Sequence, residues 1–253
     1  MTDEIIQSRA GAVMELRFNR PDRKNAITAA MYSALAEALR SAEADEDIRV
    51  VTLSGSGGTF TSGNDLKDFQ EASASEGDRP VAHFLEAIST FSKIIVAAVE
   101  GPAVGVGTTM LLHCDLLLAS PSALFSLPFV DLGLVPEAGS SLLLPRLIGR
   151  QRAAKHLILG EPFDEATALG YGLVTEIVAE EALAERLRRV AERIAAKPPE
   201  AVRLTKKLLR EDPSAVRERI RQESALFGER LRSPEASEAF RAFFEKRPPN
   251  FSR

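Results

Sequence analysis

Residues 94–109 read IIVAAVEGPAVGVGTT, and this stretch decides the fold class of the chain. The run Ile94–Val99 is short and β-branched, as expected of a strand that is buried on both faces. It leads into a glycine turn at residues 101–107, after which residues 108–113 have the pattern of a helix. A buried strand, a glycine turn and a helix in succession predict an α/β architecture.

Strand and helix patterns also alternate on either side of this stretch. Val13–Phe18 alternates apolar and polar residues, which is typical of a half-buried strand. Thr28 is placed to cap an amphipathic helix, and a second helix is predicted to begin at Pro80. Further strands are predicted at residues 49–54, 116–119, 123–126 and 173–178. The low-complexity segment at residues 71–79 is predicted to be a mobile surface loop.

Helical patterns dominate the last third of the chain. Helices are predicted at residues 151–159, 164–169, 181–196, 200–210, 213–231 and 234–246. We therefore divide the chain into a core at residues 1–196, which carries the active site, and a helical C-terminal region at residues 197–253.

Composition excludes several classes of function. The chain has 253 residues, a formal net charge of -4 and a pI near 5.6, which argues against nonspecific binding to nucleic acid. One cysteine, Cys114, rules out an internal disulfide, and the three histidines lack metal-ligand spacing, so we expect no metal site. No signal-peptide pattern and no apolar run of membrane-spanning length are found, so we expect a cytoplasmic protein without a membrane partner.

Two turns of small residues follow core strands. The glycine turn at residues 101–107 lacks both the Gly-Lys-Ser/Thr of a phosphate loop and the G-x-G-x-x-G of a dinucleotide site. It would expose backbone N–H groups at a helix N-terminus, or its glycines would merely allow close packing. A second turn, FTSGNDL at residues 60–66, follows the strand at residues 49–54. Donors from both turns would form an oxyanion hole if they point at one oxygen.

The two turns, the segment RPDRKNA at residues 20–26 and the segment AFFEKR at residues 242–247 together resemble the crotonase family, the enoyl-CoA hydratase/isomerase superfamily. The resemblance runs from about residue 5 to 251. It implies an α/β fold, a spiral of ββα units with a helical C-terminal region that supports trimers or dimers of trimers. It also implies an acyl-CoA thioester substrate that reacts through an enolate. No separate cofactor is implied, because coenzyme A is part of the substrate.

The resemblance also assigns residues. By motif, the two oxyanion donors are the N–H groups of Ser62 and Val106. Positions that would bind substrate or its CoA moiety are Arg23, Lys24, Ala26, Ser62, Asn64, Asp65, Leu66 and Phe129. Phe243 and Lys246 match positions that contact the adenine nucleotide, commonly from a neighbouring subunit.

The acid/base residues distinguish the reactions of this family. At the two positions where similar hydratases carry glutamates, this chain has Thr109 and Phe129, neither of which is a carboxylate. Eight residues after Phe129 stands Glu137, in a segment similar to Δ3,Δ2-enoyl-CoA isomerases whose glutamate there is the catalytic base. The alternative is a solvated loop glutamate. Asp131 is either a second polar group of the pocket or a loop residue, and His113 is interpreted as a packing residue.

The sequence therefore predicts an enoyl-CoA isomerase of fatty-acid catabolism. Glu137 would move a proton from C2 to C4 of a 3-enoyl-CoA while two backbone N–H groups hold the enolate oxygen. Two alternatives stay open: a hydratase that works with Glu137 alone, and a non-catalytic member that binds acyl-CoA.

Overall fold

Two sheets form the centre of the protein in a computed structural model that describes residues 3–67, 80–210 and 212–252. The strands are β1 (Ile5–Ala10), β2 (Val13–Phe18), β3 (Val50–Gly55), β4 (Ile94–Val99), β5 (Pro102–Val104), β6 (Leu116–Ala119), β7 (Leu124–Ser126), β8 (Phe163–Asp164) and β9 (Glu176–Ile177). The larger sheet has the order β1-β2-β3-β4-β6-β9 and is parallel except for the β1–β2 hairpin. The smaller sheet has the order β5-β7-β8.

Helices surround both sheets. They are α1 (Ala29–Ala44), α2 (Pro80–Thr90), α3 (Val106–Thr109), α4 (Ser140–Ile148), α5 (Arg150–Ile158), α6 (Glu165–Gly170), α7 (Glu180–Ala195), α8 (Pro199–Leu209), α9 (Pro213–Leu231) and α10 (Pro234–Glu245). Within the residues that the structure describes, no helix combines the length and the apolar character needed to cross a membrane. The predicted surface loop at residues 71–79 lies outside these residues.

The larger sheet is covered on both faces, which explains its continuous apolar strands. On one face, Leu35 and Leu39 of α1 and Phe84 of α2 belong to the main hydrophobic core. On the other face, Leu183 and Leu187 of α7 pack against alternate residues of the same strands. The α/β class and the helical C-terminal region predicted from the sequence are confirmed.

Local signals placed most elements correctly. The side chain of Thr28 accepts a hydrogen bond from the N–H of Met31, as expected of the residue that caps α1. The strand predicted at residues 173–178 is only two residues long, Glu176–Ile177. The sequence analysis missed β1, whose residues are mostly exposed at the sheet edge, and α4, which contains Pro145. Proline inside a helix removes a backbone donor, so the pattern there did not indicate a helix.

The helical region at residues 197–253 is attached to the core by buried cations. Lys206 of α8 is 3% exposed, and its ammonium group donates to Asp115 at 2.7 Å and to the carbonyl of Lys93. Asp115 also accepts the N–H of Ile95 at 2.8 Å. One turn later, Arg210 donates to the carbonyl of Phe91 at 2.8 Å. These bonds join α8 to the segments that lead into β4 and β6.

We predict that Lys206→Ala lowers the free energy of unfolding by about 3 kcal/mol, because Asp115 loses its buried partner. Urea denaturation at one fixed protein concentration measures the change. The matched control is Lys207→Ala, which removes an exposed ammonium group from the same helix and should change stability by less than about 0.5 kcal/mol. Equal effects of the two substitutions would show that the Lys206–Asp115 pair does not attach the helix.

Candidate active site

The two turns of small residues lie side by side. Beyond the ends of β3 and β4, Thr61 and Ala103 form an isolated parallel bridge. The N–H of Thr61 donates to the carbonyl of Pro102 at 3.0 Å, and the N–H of Val104 donates to the carbonyl of Thr61 at 3.0 Å. These bonds join the first turn to β5 of the smaller sheet and hold the two backbones in register.

Glycine is needed at two places where the turns touch. A β-carbon on Gly63, which has a φ of +88°, would lie 2.8 Å from the carbonyl oxygen of Val104. A β-carbon on Gly107 would lie 2.5 Å from the Cγ2 atom of Thr61. Both contacts are too short for any larger residue, so these glycines permit the close approach of the two turns.

In the first turn, the free backbone donor belongs to Asn64. The N–H of Ser62 donates to the carbonyl of Lys24 at 2.9 Å, and the N–H of Asp65 donates to the carbonyl of Ile27 at 2.9 Å. Among the described residues, the N–H of Asn64 has no acceptor. The assignment of an oxyanion donor to Ser62 is therefore corrected, because its N–H already holds the neighbouring loop.

In the second turn, the N–H of Val106, the donor assigned from the sequence, is free. The N–H of Gly105 donates to the carbonyl of Ser126 at 2.8 Å, whereas the N–H of Val106, the first residue of α3, finds no acceptor in the described part of the chain. Asn64 and Val106 each stand three residues beyond the bridging residue of their own segment. We infer from this shared offset that the two N–H groups lie next to each other.

Glu137 is a buried carboxyl and not a solvated loop residue. Its side chain is 6% exposed, and its Oε1 atom has no hydrogen-bond partner among the described residues. Burial, and secondly the charge of Glu223, raise the pKa of Glu137 to about 8. Desolvation therefore favours the protonated form of this carboxyl.

Tyr32 of α1 binds the first turn. Its hydroxyl donates to the Oδ1 atom of Asn64 at 2.5 Å. Burial, and secondly the charge of Glu137, raise the pKa of Tyr32. Tyr32 was not selected from the sequence. Its only signal was a tyrosine on the buried face of a helix.

Apolar side chains line the surroundings of the two turns. Phe129, which was predicted to contact substrate, is 5% exposed and belongs to one hydrophobic cluster with Leu127 and Leu134. Its ring lies about one van der Waals contact from Gly105, since a β-carbon there would be 4.0 Å from the ring. Leu66 packs against the same cluster.

The turn that carries Glu137 is held from two sides. Ala138 and Gly139 both have positive φ, +59° and +74°, a conformation that costs free energy at the alanine. The Nε2 atom of His113 donates to the carbonyl of Ala138 at 2.7 Å, and burial lowers the pKa of His113 to about 4. The carboxylate of Glu223 accepts the N–H of Gly139 at 2.5 Å. His113 is therefore more than a packing residue.

The other candidate acids and hydroxyls are placed differently. Thr109 is fully buried, and its hydroxyl donates to the carbonyl of Val106 at 3.5 Å. Asp131 is exposed in a short 3-10 helix, Val130–Leu132, and its carboxylate lies against the backbone of Gly160. In the part of the chain that the structure describes, no three His, Cys, Asp or Glu residues are grouped as metal ligands would be.

The residues assigned to the CoA moiety fall into two groups. Arg23 and Lys24 are exposed in the loop that receives the Ser62 N–H, and Ala26 follows them. Asp65 accepts a hydrogen bond from Arg20 at 3.2 Å, which ties this loop to the first turn. The second group is Phe243 and Lys246, exposed residues near the end of α10. Among the described residues, no hydrogen bond or ion pair joins the second group to the first.

Comparisons with known proteins agree over the whole chain. The family model described as enoyl-CoA hydratase/isomerase matches residues 8–253. Enoyl-CoA delta isomerase 2 of Rattus norvegicus is 33% identical over 251 residues, with 96% of this chain covered but only 64% of that protein. The 2,3-dehydroadipyl-CoA hydratase of Escherichia coli K12 is 32% identical and 98% covered on both sides. A solved enoyl-CoA hydratase/isomerase from Pseudoalteromonas atlantica T6c has a TM-score of 0.95 at 43% identity, covering 99% of this chain and 100% of that chain.

The raised pKa of Glu137 predicts a pH-dependent cost to stability. A carboxyl whose pKa rises from 4.5 to about 8 on folding destabilises the folded state progressively as pH rises between those values. The glutamine of Glu137→Gln stays neutral at every pH. We therefore expect the free energy of unfolding of this variant, relative to that of the parent protein, to increase by at least about 1 kcal/mol as the pH rises from about 5 to about 9. Melting curves of both proteins across that range measure the difference. If the melting temperatures of the two proteins changed in parallel with pH, Glu137 would ionise normally. The control is Glu229→Gln, which removes the charge of an exposed glutamate.

Proposed function

The chain belongs to the enoyl-CoA hydratase/isomerase family, and we propose that it is a Δ3,Δ2-enoyl-CoA isomerase within it. One observation carries the proposal: the buried carboxyl of Glu137 has an oxygen without a hydrogen-bond partner among the described residues, and the N–H groups of Asn64 and Val106 in the two turns are free. A proton shuttle needs one base and one place for the enolate oxygen, and these groups supply both.

The reaction would proceed in two proton transfers. Ionised Glu137 takes a proton from C2 of a 3-enoyl-CoA, and the electron pair moves onto the thioester oxygen as a dienolate. That oxygen accepts hydrogen bonds from the N–H groups of Asn64 and Val106, which supports the developing charge in a low-dielectric site. The same carboxyl then returns the proton at C4, and the double bond ends between C2 and C3. No atom is gained or lost.

The raised pKa of Glu137 favours both proton transfers of this reaction. A base whose pKa lies near 8 accepts a carbon-bound proton more readily than an ordinary carboxylate and can still release it at neutral pH. The apolar cluster around Phe129 and Leu134 would exclude water that could otherwise exchange the transferred proton.

Hydration is the competing reaction, because several similar proteins are named hydratases. Adding water requires a held water as well as a proton donor, and similar hydratases use two glutamates for this. Here those positions are occupied by Thr109, whose hydroxyl is directed to a backbone carbonyl, and by Phe129. These two side chains favour the isomerase.

The residues assigned to coenzyme A, the assembly and the cellular setting are also part of the proposal. Arg23 and Lys24 present exposed cations for the phosphates of coenzyme A. Phe243 and Lys246 would contact the adenine nucleotide of a neighbouring subunit in a trimer or a dimer of trimers. The exposed Phe243 and Phe244 rings at the end of α10 are consistent with burial in such an assembly. Fatty-acid catabolism in the cytoplasm is the proposed setting.

We predict that Glu137→Gln lowers kcat for 3-enoyl-CoA isomerisation by about 10²–10⁴-fold, because the amide cannot accept the proton. KM should change little, since the substitution keeps the size of the side chain. The matched control is Asp131→Asn, which changes an exposed carboxylate of the preceding loop and should leave kcat within about twofold. Isomerisation at the parent rate by the Gln variant would remove Glu137 from the mechanism.

We predict that kcat/KM for isomerisation exceeds kcat/KM for hydration by at least about two orders of magnitude, because the loss of one acid/base group slows a reaction by about that factor. The comparison uses a trans-3-enoyl-CoA and its 2-enoyl isomer of equal chain length, with exchange of the C2 proton followed in deuterated water. Fast hydration with little isomerisation would assign the protein to the hydratases. Binding without turnover of either substrate would support the non-catalytic alternative.

A further inference from the structure

A second buried carboxylate, Glu223, stands behind the turn that carries Glu137. Glu223 belongs to α9 in the C-terminal region and is 5% exposed. It accepts the N–H of Gly139 at 2.5 Å and the N–H of Ser141 at 2.9 Å. The sequence analysis did not select it, because a glutamate in a charged amphipathic helix is most often solvated.

These two bonds replace the cap that α4 lacks. Gly139 stands at the N-cap position of α4 and has no side chain to accept the first free N–H groups of the helix. Glu223 supplies that acceptor from a helix more than eighty residues away in sequence. A negative charge at this position is also favoured by the helix dipole. Without it, the N–H groups of a buried helix end would be unsatisfied.

The same bonds fix the backbone next to the base. Ala138, directly after Glu137, has the left-handed φ of +59°, which an alanine adopts only when its surroundings impose it. His113 holds the Ala138 carbonyl from one side, and Glu223 holds the N–H of Gly139 from the other. The position of the Glu137 carboxyl therefore depends on both.

The charged and titratable groups around Glu137 come from three elements. Tyr32 of α1 has a raised pKa and is neutral, and His113, with a pKa lowered to about 4, is neutral as well. On α9, Glu223 lies next to Arg219, which donates to the hydroxyl of Ser141 at 3.1 Å. Glu223 is thus the anion that acts on Glu137, and Arg219 partly offsets its charge.

We propose that Glu223 is a positioning residue for the base, because it holds the turn that carries Glu137 by two backbone hydrogen bonds. Its charge also acts on Glu137. The proposal rests on the proposed function, in which Glu137 shuttles the proton. A purely structural cap would affect stability alone, whereas a positioning residue also affects kcat and the pH profile.

Two substitutions separate charge from geometry. Glu223→Gln keeps the shape and one acceptor oxygen but removes the charge. We expect kcat to fall at least about tenfold with KM within about twofold, because displacement of a base slows proton transfer more than binding. The acid limb of the kcat/KM profile should move to lower pH, since the pKa of Glu137 falls. Glu223→Asp keeps the charge on a shorter side chain, so kcat should fall while the acid limb stays in place.

A spectroscopic measurement makes the test independent of turnover. Infrared difference spectra assign the protonated carboxyl band of Glu137 by its loss in Glu137→Gln, and titration of that band gives the midpoint directly. We expect a lower midpoint in Glu223→Gln than in the parent protein and no change in Glu229→Gln, an exposed residue of the same helix. If Glu137→Gln kept full activity, the proposed function would fail, yet the titration would still report on Glu223.

One outcome would overturn the proposal. Glu223→Gln and Glu223→Asp would both lower the melting temperature, but kcat, the acid limb of the pH profile and the titration midpoint of Glu137 would equal those of the parent protein. Glu223 would then be a structural cap only. If Glu223→Gln does not fold, an unchanged kcat in Glu223→Asp overturns the geometric part by itself.

Discussion

The arrangement of the two turns depends on the parallel bridge between Thr61 and Ala103, which joins the first turn to β5 of the smaller sheet. Because these backbone hydrogen bonds hold both turns, the free N–H groups of Asn64 and Val106 are held in place by the fold itself. Such fixed dipoles stabilise a developing negative charge without reorganisation during the reaction. Glycine at position 63 lets the turns approach, because a β-carbon there would collide with a carbonyl oxygen.

The base is supplied by a different part of the chain and is tuned by what surrounds it. Glu137 lies in a turn outside both sheets, where burial raises its pKa and two flanking groups, His113 and Glu223, hold the backbone after it. Because Glu223 comes from α9, the C-terminal helices also hold the turn that carries Glu137.

The fold was predictable where one segment carried its own signal. The crotonase fold is confirmed by the family match and by the similarity to solved structures, and Ile94–Val99 and the Thr28 cap lie where their patterns placed them. The helix α4 was missed because Pro145 contradicts a helical pattern, and only packing against α5 and α9 stabilises a helix there. Local propensity is a weak guide wherever tertiary contacts decide the outcome.

The sequence by itself determined the family, the presence of a carboxylate at Glu137 and the absence of carboxylates at Thr109 and Phe129. Only the tertiary structure decided that the N–H of Ser62 is occupied, that the N–H of Asn64 is free, and that Glu223 binds the backbone of the turn after Glu137. The reason is physical. Whether a backbone donor is free, and how strongly a carboxyl holds its proton, depend on neighbours that are distant in the chain and become adjacent only when it folds.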